Sequence, residues 1–91
     1  MPVTIAIPSP LRPLAGNQAE IRLDAATVAA ALGELGAKYP ALKERLLDAN
    51  GKLRRYVNVF KNEDDVRAAQ GLDTPLVDGD KLAIVPAIAG G

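Results

Sequence analysis

The chain has 91 residues, of which 48% are hydrophobic, so a single packed domain is possible without metal or disulfide cross-links. Lys+Arg and Asp+Glu number 11 each, and this balance argues against partners that recognise overall positive charge, namely nucleic acids and anionic membranes. Cysteine and histidine are both absent, which removes thiol nucleophiles, the usual zinc ligands and the commonest general base. We therefore expect no metal site and no conventional enzyme active site.

The N-terminal residues carry no basic segment followed by a long apolar run, and no stretch of 18 apolar residues occurs in the sequence. These observations predict a cytoplasmic protein that does not associate with membranes.

The first third of the chain predicts two strands. Apolar residues alternate over residues 3–7, which indicates a strand with one buried face, and Pro8-Ser9-Pro10 ends it. After a loop through Pro13 and Gly16-Asn17, a second alternation over residues 20–23 predicts a strand antiparallel to the first.

A helical period begins at Thr27. Its apolar residues share one helical face, and they are Val28, Ala31, Leu32, Leu35 and Tyr39. Asp24 or Thr27 can cap the start, and Pro40 blocks propagation near the end. Leucines over residues 42–47 predict one or two further helical turns, which the turn dipeptide Asn50-Gly51 closes.

The rest of the chain predicts strands again. Residues 53–60 are rich in β-branched and aromatic types, residues 61–65 form an acidic turn, and Val66 begins a short edge strand. Asp78-Gly79 is a turn signal before a last strand over residues 81–85. We therefore predict an α+β domain over residues 1–86, with one main helix across a mixed sheet, and a flexible tail over residues 87–91.

This order of elements, the acidic turn at 62–66, the segment Asp78-Gly79-Asp80 and the terminus Pro86-Ala87-Ile88-Ala89-Gly90-Gly91 resemble the ThiS/MoaD family of ubiquitin-like sulfur carriers. The resemblance covers the whole chain and implies a β-grasp fold. Segments 10–13, 55–58 and 84–91 look closest to the branch of the family that serves cysteine biosynthesis.

The resemblance implies a monomeric carrier that is a co-substrate of other enzymes and holds no cofactor itself. An activating enzyme would use ATP to adenylate Gly91 and would convert it to a thiocarboxylate. In the cysteine branch, a cysteine-synthase-like acceptor with pyridoxal phosphate would take the sulfur, and a metalloprotease would release the cysteine formed on the tail.

The chemistry of the terminus agrees with this expectation. A carboxylate with a reference pKa of about 3.5 is ionised at neutral pH and is a poor electrophile, so sulfur can replace oxygen only after a better leaving group is attached. Gly90 and Gly91 lack side chains, so their backbone can pass through a narrow channel toward a nucleotide.

A carrier must also be recognised outside its reactive end. Ile88 lies beyond the last strand, where a partner pocket explains a large apolar side chain better than core packing does. For Phe60, core packing and a partner contact are equally consistent with the sequence. The candidate partner-binding residues are Gly90, Ala89, Ile88, Pro86 and Phe60.

Several alternatives remain open at the level of sequence. The same tail chemistry would serve a molybdopterin, thiazole or tRNA-thiolation carrier, whereas a ubiquitin-like modifier would join Gly91 to lysines of target proteins. A plain interaction module with incidental glycines is a third possibility. The basic residues Lys52, Arg54 and Arg55 are interpreted as a solvated edge, because the aromatic platform of a nucleic-acid binder is missing.

Overall fold

The computed structural model describes residues 2–55 and 57–85 in full and, of Pro86, the backbone alone. In this part of the chain the strands are β1 (Pro2–Ala6), β2 (Glu20–Asp24), β3 (Val57–Lys61), β4 (Asp64–Asp65) and β5 (Lys81–Pro86). The helices are α1 (Val28–Lys38) and α2 (Pro40–Leu46). Short 3₁₀ segments span Ser9–Ala15, Val66–Ala68 and Gly71–Asp73.

The five strands form one sheet in the order β2-β1-β5-β3-β4. The first two strands pair antiparallel, as the sequence predicts, and β1 pairs parallel with β5 through Thr4↔Lys81, Ile5↔Leu82 and Ala6↔Ala83. The remaining pairs are antiparallel. The mixed sheet with helices packed across one face confirms the predicted α+β, β-grasp architecture.

One hydrophobic core lies between the sheet and the helices. Alternate residues of β1, β2, β3 and β5 are buried, and so is the apolar stripe of α1. The predicted stripe is confirmed, except that Tyr39 is only partly buried and packs at the margin of the core. The fully buried side chains of largest volume are Ile5, Ile7, Leu32, Leu35, Leu42, Leu46 and Leu82.

Local capping explains where α1 begins. The Thr27 hydroxyl accepts a hydrogen bond from the N–H of Ala30 at 3.1 Å, which satisfies one of the unpaired donors at the helix start. Of the two residues that the sequence offered as caps, Thr27 is therefore the one used. Tyr39 ends the helix with an N–H···O bond to Leu35, and Pro40 begins α2 because its fixed φ suits the first turn.

Gly36 allows the two helices to approach closely. A Cβ atom at this position would lie 2.7–2.9 Å from the side-chain carbons of Lys43 on α2. The close approach at Gly36 is therefore between α1 and α2.

Some predicted boundaries are wrong. The loop after β1 contains the 3₁₀ segment Ser9–Ala15, and the third strand begins at Val57 rather than at Leu53. Leu53 instead forms an isolated antiparallel β-bridge with Leu47, because the chain turns back on itself after α2 before it enters the sheet. The short edge strand is Asp64–Asp65, and Val66 begins a 3₁₀ turn where the Asp65 side chain accepts a hydrogen bond from the N–H of Arg67.

We expect Leu32→Ala to destabilise the fold strongly. Leu32 is 2% exposed at the centre of the α1 stripe, and truncation of such a leucine costs about 2–5 kcal/mol of unfolding free energy. Thermal or urea unfolding measures this loss. Glu34→Ala, on the exposed face of the same helix, is the matched control and should melt like the parent. Equal melting of the two variants would contradict the assignment of the buried helix face.

Candidate functional site at the end of the central strand

Strand β5 is the last element that the structure describes. It lies between β1 and β3, and its last residue, Pro86, pairs with Val57 at the start of β3. Because β1 runs parallel to β5, the end of β1 lies at the same end of the sheet. The chain beyond Pro86 therefore starts from the middle of the sheet rather than from a free edge.

The two faces of β5 differ in character. Leu82 and Ile84 are buried against the helices, whereas Ala83 is half-buried and Val85 is 44% exposed on the other face. We call this second surface the outer face of the sheet. Val85 is thus an exposed apolar side chain one residue before the end of β5.

Phe60 belongs to this outer face. Its neighbours Val57 and Val59 are buried toward the helices, so the alternation of the strand places Phe60 on the opposite side, half-buried and paired with Ala83. Ala83 also pairs with Ala6 of β1. Of the two explanations that the sequence left open for Phe60, the structure therefore excludes burial in the main core.

Arg67 supports the start of β3, which pairs with the end of β5. One guanidinium nitrogen, Nη1, donates to Oδ1 of Asn58 at 2.8 Å, and Nη2 donates to the carbonyl oxygen of Arg54 at 2.7 Å. Asn58 is paired with Val85 on β5. Arg67 therefore joins the segment before β3 to the β3–β5 strand pair.

Polar contacts flank the outer face on the side of β1. The Lys81 ammonium lies 2.9 Å from the carboxylate of Glu20, and both side chains are about half-exposed. Since these residues stand on β5 and β2, the ion pair reaches across β1. An exposed pair of this kind contributes little to stability, and its main effect is to fix the polar margin of the face.

The other end of β5 is fixed by a buried carboxylate. Asp80 accepts hydrogen bonds from the N–H of Val77 at 2.8 Å and from the amide of Asn62 at 3.2 Å. Asn62 in turn accepts from the N–H of Lys81 at 3.2 Å and has a left-handed φ of 58°. The bond from Val77, aided by Asn62 and by nearby Lys61, lowers the pKa of Asp80 despite its burial.

The structure describes only part of the predicted site. Gly91, Gly90, Ala89 and Ile88 lie outside the described residues, as does the side chain of Pro86. The boundary predicted between the domain and the tail therefore stays a prediction.

Sequence reasoning missed several residues that the described part places near the exit. Because side chains alternate between the two faces of a strand, a prediction that Ile84 is buried would also have predicted that Val85 is exposed. No sequence signal links Arg67 to Asn58, because their contact depends on the turn between β4 and the following 3₁₀ segment.

The described residues contain no cluster of three or more histidine, cysteine or acidic side chains that could hold a metal ion. No helix in residues 2–55 and 57–86 combines the length and apolar composition needed to cross a membrane.

Three features together define a ubiquitin-like β-grasp protein. The sheet is mixed with its last strand in the centre, helices cover one face of the sheet, and the sequence ends in Gly-Gly after the last strand. The sequence model of the ThiS family matches residues 5–91. The chain belongs to the ThiS family.

Similar proteins come from bacteria and archaea. The sulfur carrier protein CysO of Mycobacterium tuberculosis is 44% identical over 93 aligned residues, covering 100% of both chains. Its crystal structure gives a TM-score of 0.87 at 42% identity, covering 94% of this chain and 99% of that one.

CysO of Amycolatopsis orientalis, in a crystal structure of its complex with BexX, gives a TM-score of 0.90 at 38% identity, covering 98% of this chain and 99% of that one. Small archaeal modifier protein 3 of Haloferax volcanii is 41% identical over 68 residues, which are 75% of this chain and 73% of that protein.

We expect Asp80→Asn to lower stability at neutral pH and to weaken the dependence of stability on acid. The folded pKa of Asp80 lies below its ordinary value of 3.8, so its contribution is present above that value and disappears as the pH falls through the folded pKa. Melting curves between about pH 7 and pH 2 should therefore show the gap between parent and variant closing in acid. A gap that stays constant with pH would contradict this role.

Proposed function

We propose that this protein is a sulfur carrier whose Gly91 carboxylate is adenylated and converted to a thiocarboxylate, which donates sulfur in cysteine biosynthesis. The observation that carries the proposal is the family match, which extends to residue 91 and so includes the Gly-Gly terminus. The full-length similarity to CysO, a protein named as a sulfur carrier, supports the cysteine branch.

The proposed chemistry takes place on the terminal carboxyl group. A carboxylate oxygen of Gly91 attacks the α-phosphorus of ATP, and pyrophosphate leaves. A sulfur nucleophile then attacks the acyl carbon, and AMP leaves with the electron pair of the broken carbon–oxygen bond. The carrier supplies the reacting carboxyl group, and the activating enzyme binds ATP and provides the sulfur source.

The acceptor reaction uses the same carbonyl group. The thiocarboxylate sulfur would bond to Cβ of an activated serine derivative held by a pyridoxal-phosphate enzyme, and the activating group would leave, which gives a thioester with cysteine. The acyl group would then move from sulfur to the cysteine amine to form an amide. Hydrolysis of this amide by a metalloprotease would release cysteine and restore the Gly91 carboxylate. In both reactions the carrier is a co-substrate, and its fold presents the tail to successive partners.

The outer face is the part of the described domain best placed to guide these partners. Val85 is exposed and Phe60 half-exposed, and both lie on the strand pair that leads to the tail. Exposed apolar side chains gain little in water, whereas their burial against an enzyme would stabilise a complex. We therefore assign Val85 and Phe60 to the partner contact, together with Pro86, Ile88, Ala89 and Gly90.

A ubiquitin-like protein modifier is the second candidate function. The observation that favours it is the similarity to small archaeal modifier protein 3. In this case the activated Gly91 would form isopeptide bonds with lysines. Gly91-dependent species of higher mass that survive reducing denaturation would support modification, and a C-terminal thiocarboxylate without such species would support the carrier.

Deletion of Gly91 should abolish loading without a loss of stability. The change removes the carboxyl group in its required position but leaves the core of residues 2–86 intact. ATP–pyrophosphate exchange with the activating enzyme measures loading, and a melting curve measures stability. Normal exchange by the truncated protein would contradict the proposed function.

Val85→Gln should raise the KM for loading about tenfold with little change in melting temperature. Burial of one such apolar side chain is worth roughly 1.5–3 kcal/mol, and about 1.4 kcal/mol corresponds to a factor of ten. Val77→Gln is the matched control, because Val77 is also exposed, at 58%, but precedes the start of β5. Equal KM values for the two variants would exclude Val85 from the partner contact.

A further inference from the structure

A groove beside α2 is not used by the tail chemistry. It is an open depression of about 800 Å³ between the end of α2 and the segment that leads into β3. Three cationic side chains line it, those of Lys43, Arg45 and Arg54, and Pro40 and Leu47 supply apolar surface. We call this feature the α2 groove.

Arg54 is held rigidly in the wall of the α2 groove. Its Nε donates to the carbonyl oxygen of Glu44 at 2.8 Å, and its backbone N–H donates to the carbonyl oxygen of Leu46 at 3.0 Å. Its own carbonyl oxygen accepts from Arg67 at 2.7 Å. The guanidinium is therefore oriented before any partner arrives, so less side-chain entropy is lost when it binds a carboxylate.

Three cations and the two carboxylates of Glu44 and Asp48 line the groove, which leaves the lining a net charge of +1. Asp48 turns one carboxylate oxygen, Oδ1, to its own loop, where it accepts from the N–H groups of Asn50 at 2.8 Å and Lys52 at 3.0 Å. Residues 43–55 contain five Lys or Arg and two Asp or Glu, a net charge of +3 in a chain whose total is 0.

The charges are also separated along the sheet. The acidic residues Asp64, Asp65, Asp78 and Asp80 lie where β3 ends and β5 begins. The basic segment precedes β3, at the end of the sheet where β5 finishes. This polarity would orient an approaching acidic surface toward the tail end of the domain.

The groove lies close to the point where the tail leaves. Arg54 is three residues before Val57, so the Cα atoms of these two residues are at most roughly 10 Å apart. Val57 in turn pairs with Pro86, the last residue of β5. Arg67 links the carbonyl of Arg54 to Asn58, the partner of Val85. A protein bound to the outer face and the tail could therefore reach the α2 groove as well.

We propose that the α2 groove binds an acidic segment of the activating enzyme, with carboxylates on Lys43, Arg45 and Arg54 and an apolar side chain on Pro40 and Leu47. This inference rests on the proposed function, which supplies the partner. The groove acts as a second contact that steers and orients the carrier, and the Gly91 chemistry does not depend on it.

The composition of the groove favours a protein segment over other anions. No aromatic side chain lines the groove, so the bases of a nucleic acid would have nothing to stack on. A free phosphate would find an open surface rather than an enclosed site. An acidic segment with an apolar residue matches both the cations and the apolar floor.

The first experiment compares two charge reversals. Arg45→Glu places a negative charge in the groove, and Arg22→Glu makes the same change on β2, two strands from β5. Both side chains are exposed, so both variants should melt like the parent. At low salt, Arg45→Glu should raise the KM for ATP–pyrophosphate exchange about fivefold or more with kcat unchanged, and high salt should shrink that difference.

Equal KM values for Arg45→Glu and Arg22→Glu, with the parent protein active, would overturn the groove proposal and leave the proposed function intact. A parent protein that is not adenylated at all would instead count against the proposed function, and the groove is then judged by the second experiment alone.

The second experiment needs no enzyme. A capped deca-glutamate peptide is titrated into the labelled parent protein at low salt while amide chemical shifts are recorded. Shifts confined to residues 43–55, and lost in Arg45→Glu but not in Arg22→Glu, would support the proposal. It would be overturned if the peptide caused no such shifts, or if single-stranded RNA or inorganic phosphate shifted these amides and the peptide did not.

Discussion

The pairing of β5 between β1 and β3 is the constraint on which the rest of the domain depends. Within the described residues, β2 and β1 form one hairpin and β3 and β4 form another, and β5 is the strand that pairs with both halves. Both edges of β5 form backbone hydrogen bonds with neighbouring strands, so the chain can depart from the sheet only at the two ends of β5. The start of β5 is fixed by Asp80 and Asn62, so the direction of its other end is also fixed.

This arrangement separates stability from recognition. The side chains of β5 that face α1 contribute to the hydrophobic core, and the intervening residues Ala83 and Val85 face outward with Phe60. Contacts on the outer face therefore lie on the opposite side of the sheet from the packing of the hydrophobic core.

Acidic and basic residues are concentrated at opposite ends of β5. The acidic turns lie at the start of β5, and the basic segment lies near its end, although the chain as a whole is neutral. Net charge is thus a poor guide to the partners of this protein. Because an electric field depends on where charges lie, a neutral domain can still present a basic end to an acidic enzyme.

Most of the fold follows from local sequence patterns. The alternation in β1 and β2 and the 3.6-residue stripe of α1 indicate which face is buried, because the apolar residues recur at the period with which the backbone turns its side chains toward the core. The capping role of Thr27 and the stop at Pro40 are equally local. Boundaries near Leu53 and Val66 were misplaced because a tertiary bridge to Leu47 and a side-chain turn at Asp65 decide them.

The sequence by itself determined the strand and helix periods, and its resemblance to a known family predicted the role of Gly91. Only the tertiary structure decided that Phe60 lies outside the core, that Val85 shares its face, and that Arg67 joins Arg54 to Asn58. The physical reason is that periodicity describes neighbours along one element, whereas these contacts depend on the order and register of strands that are distant in the chain.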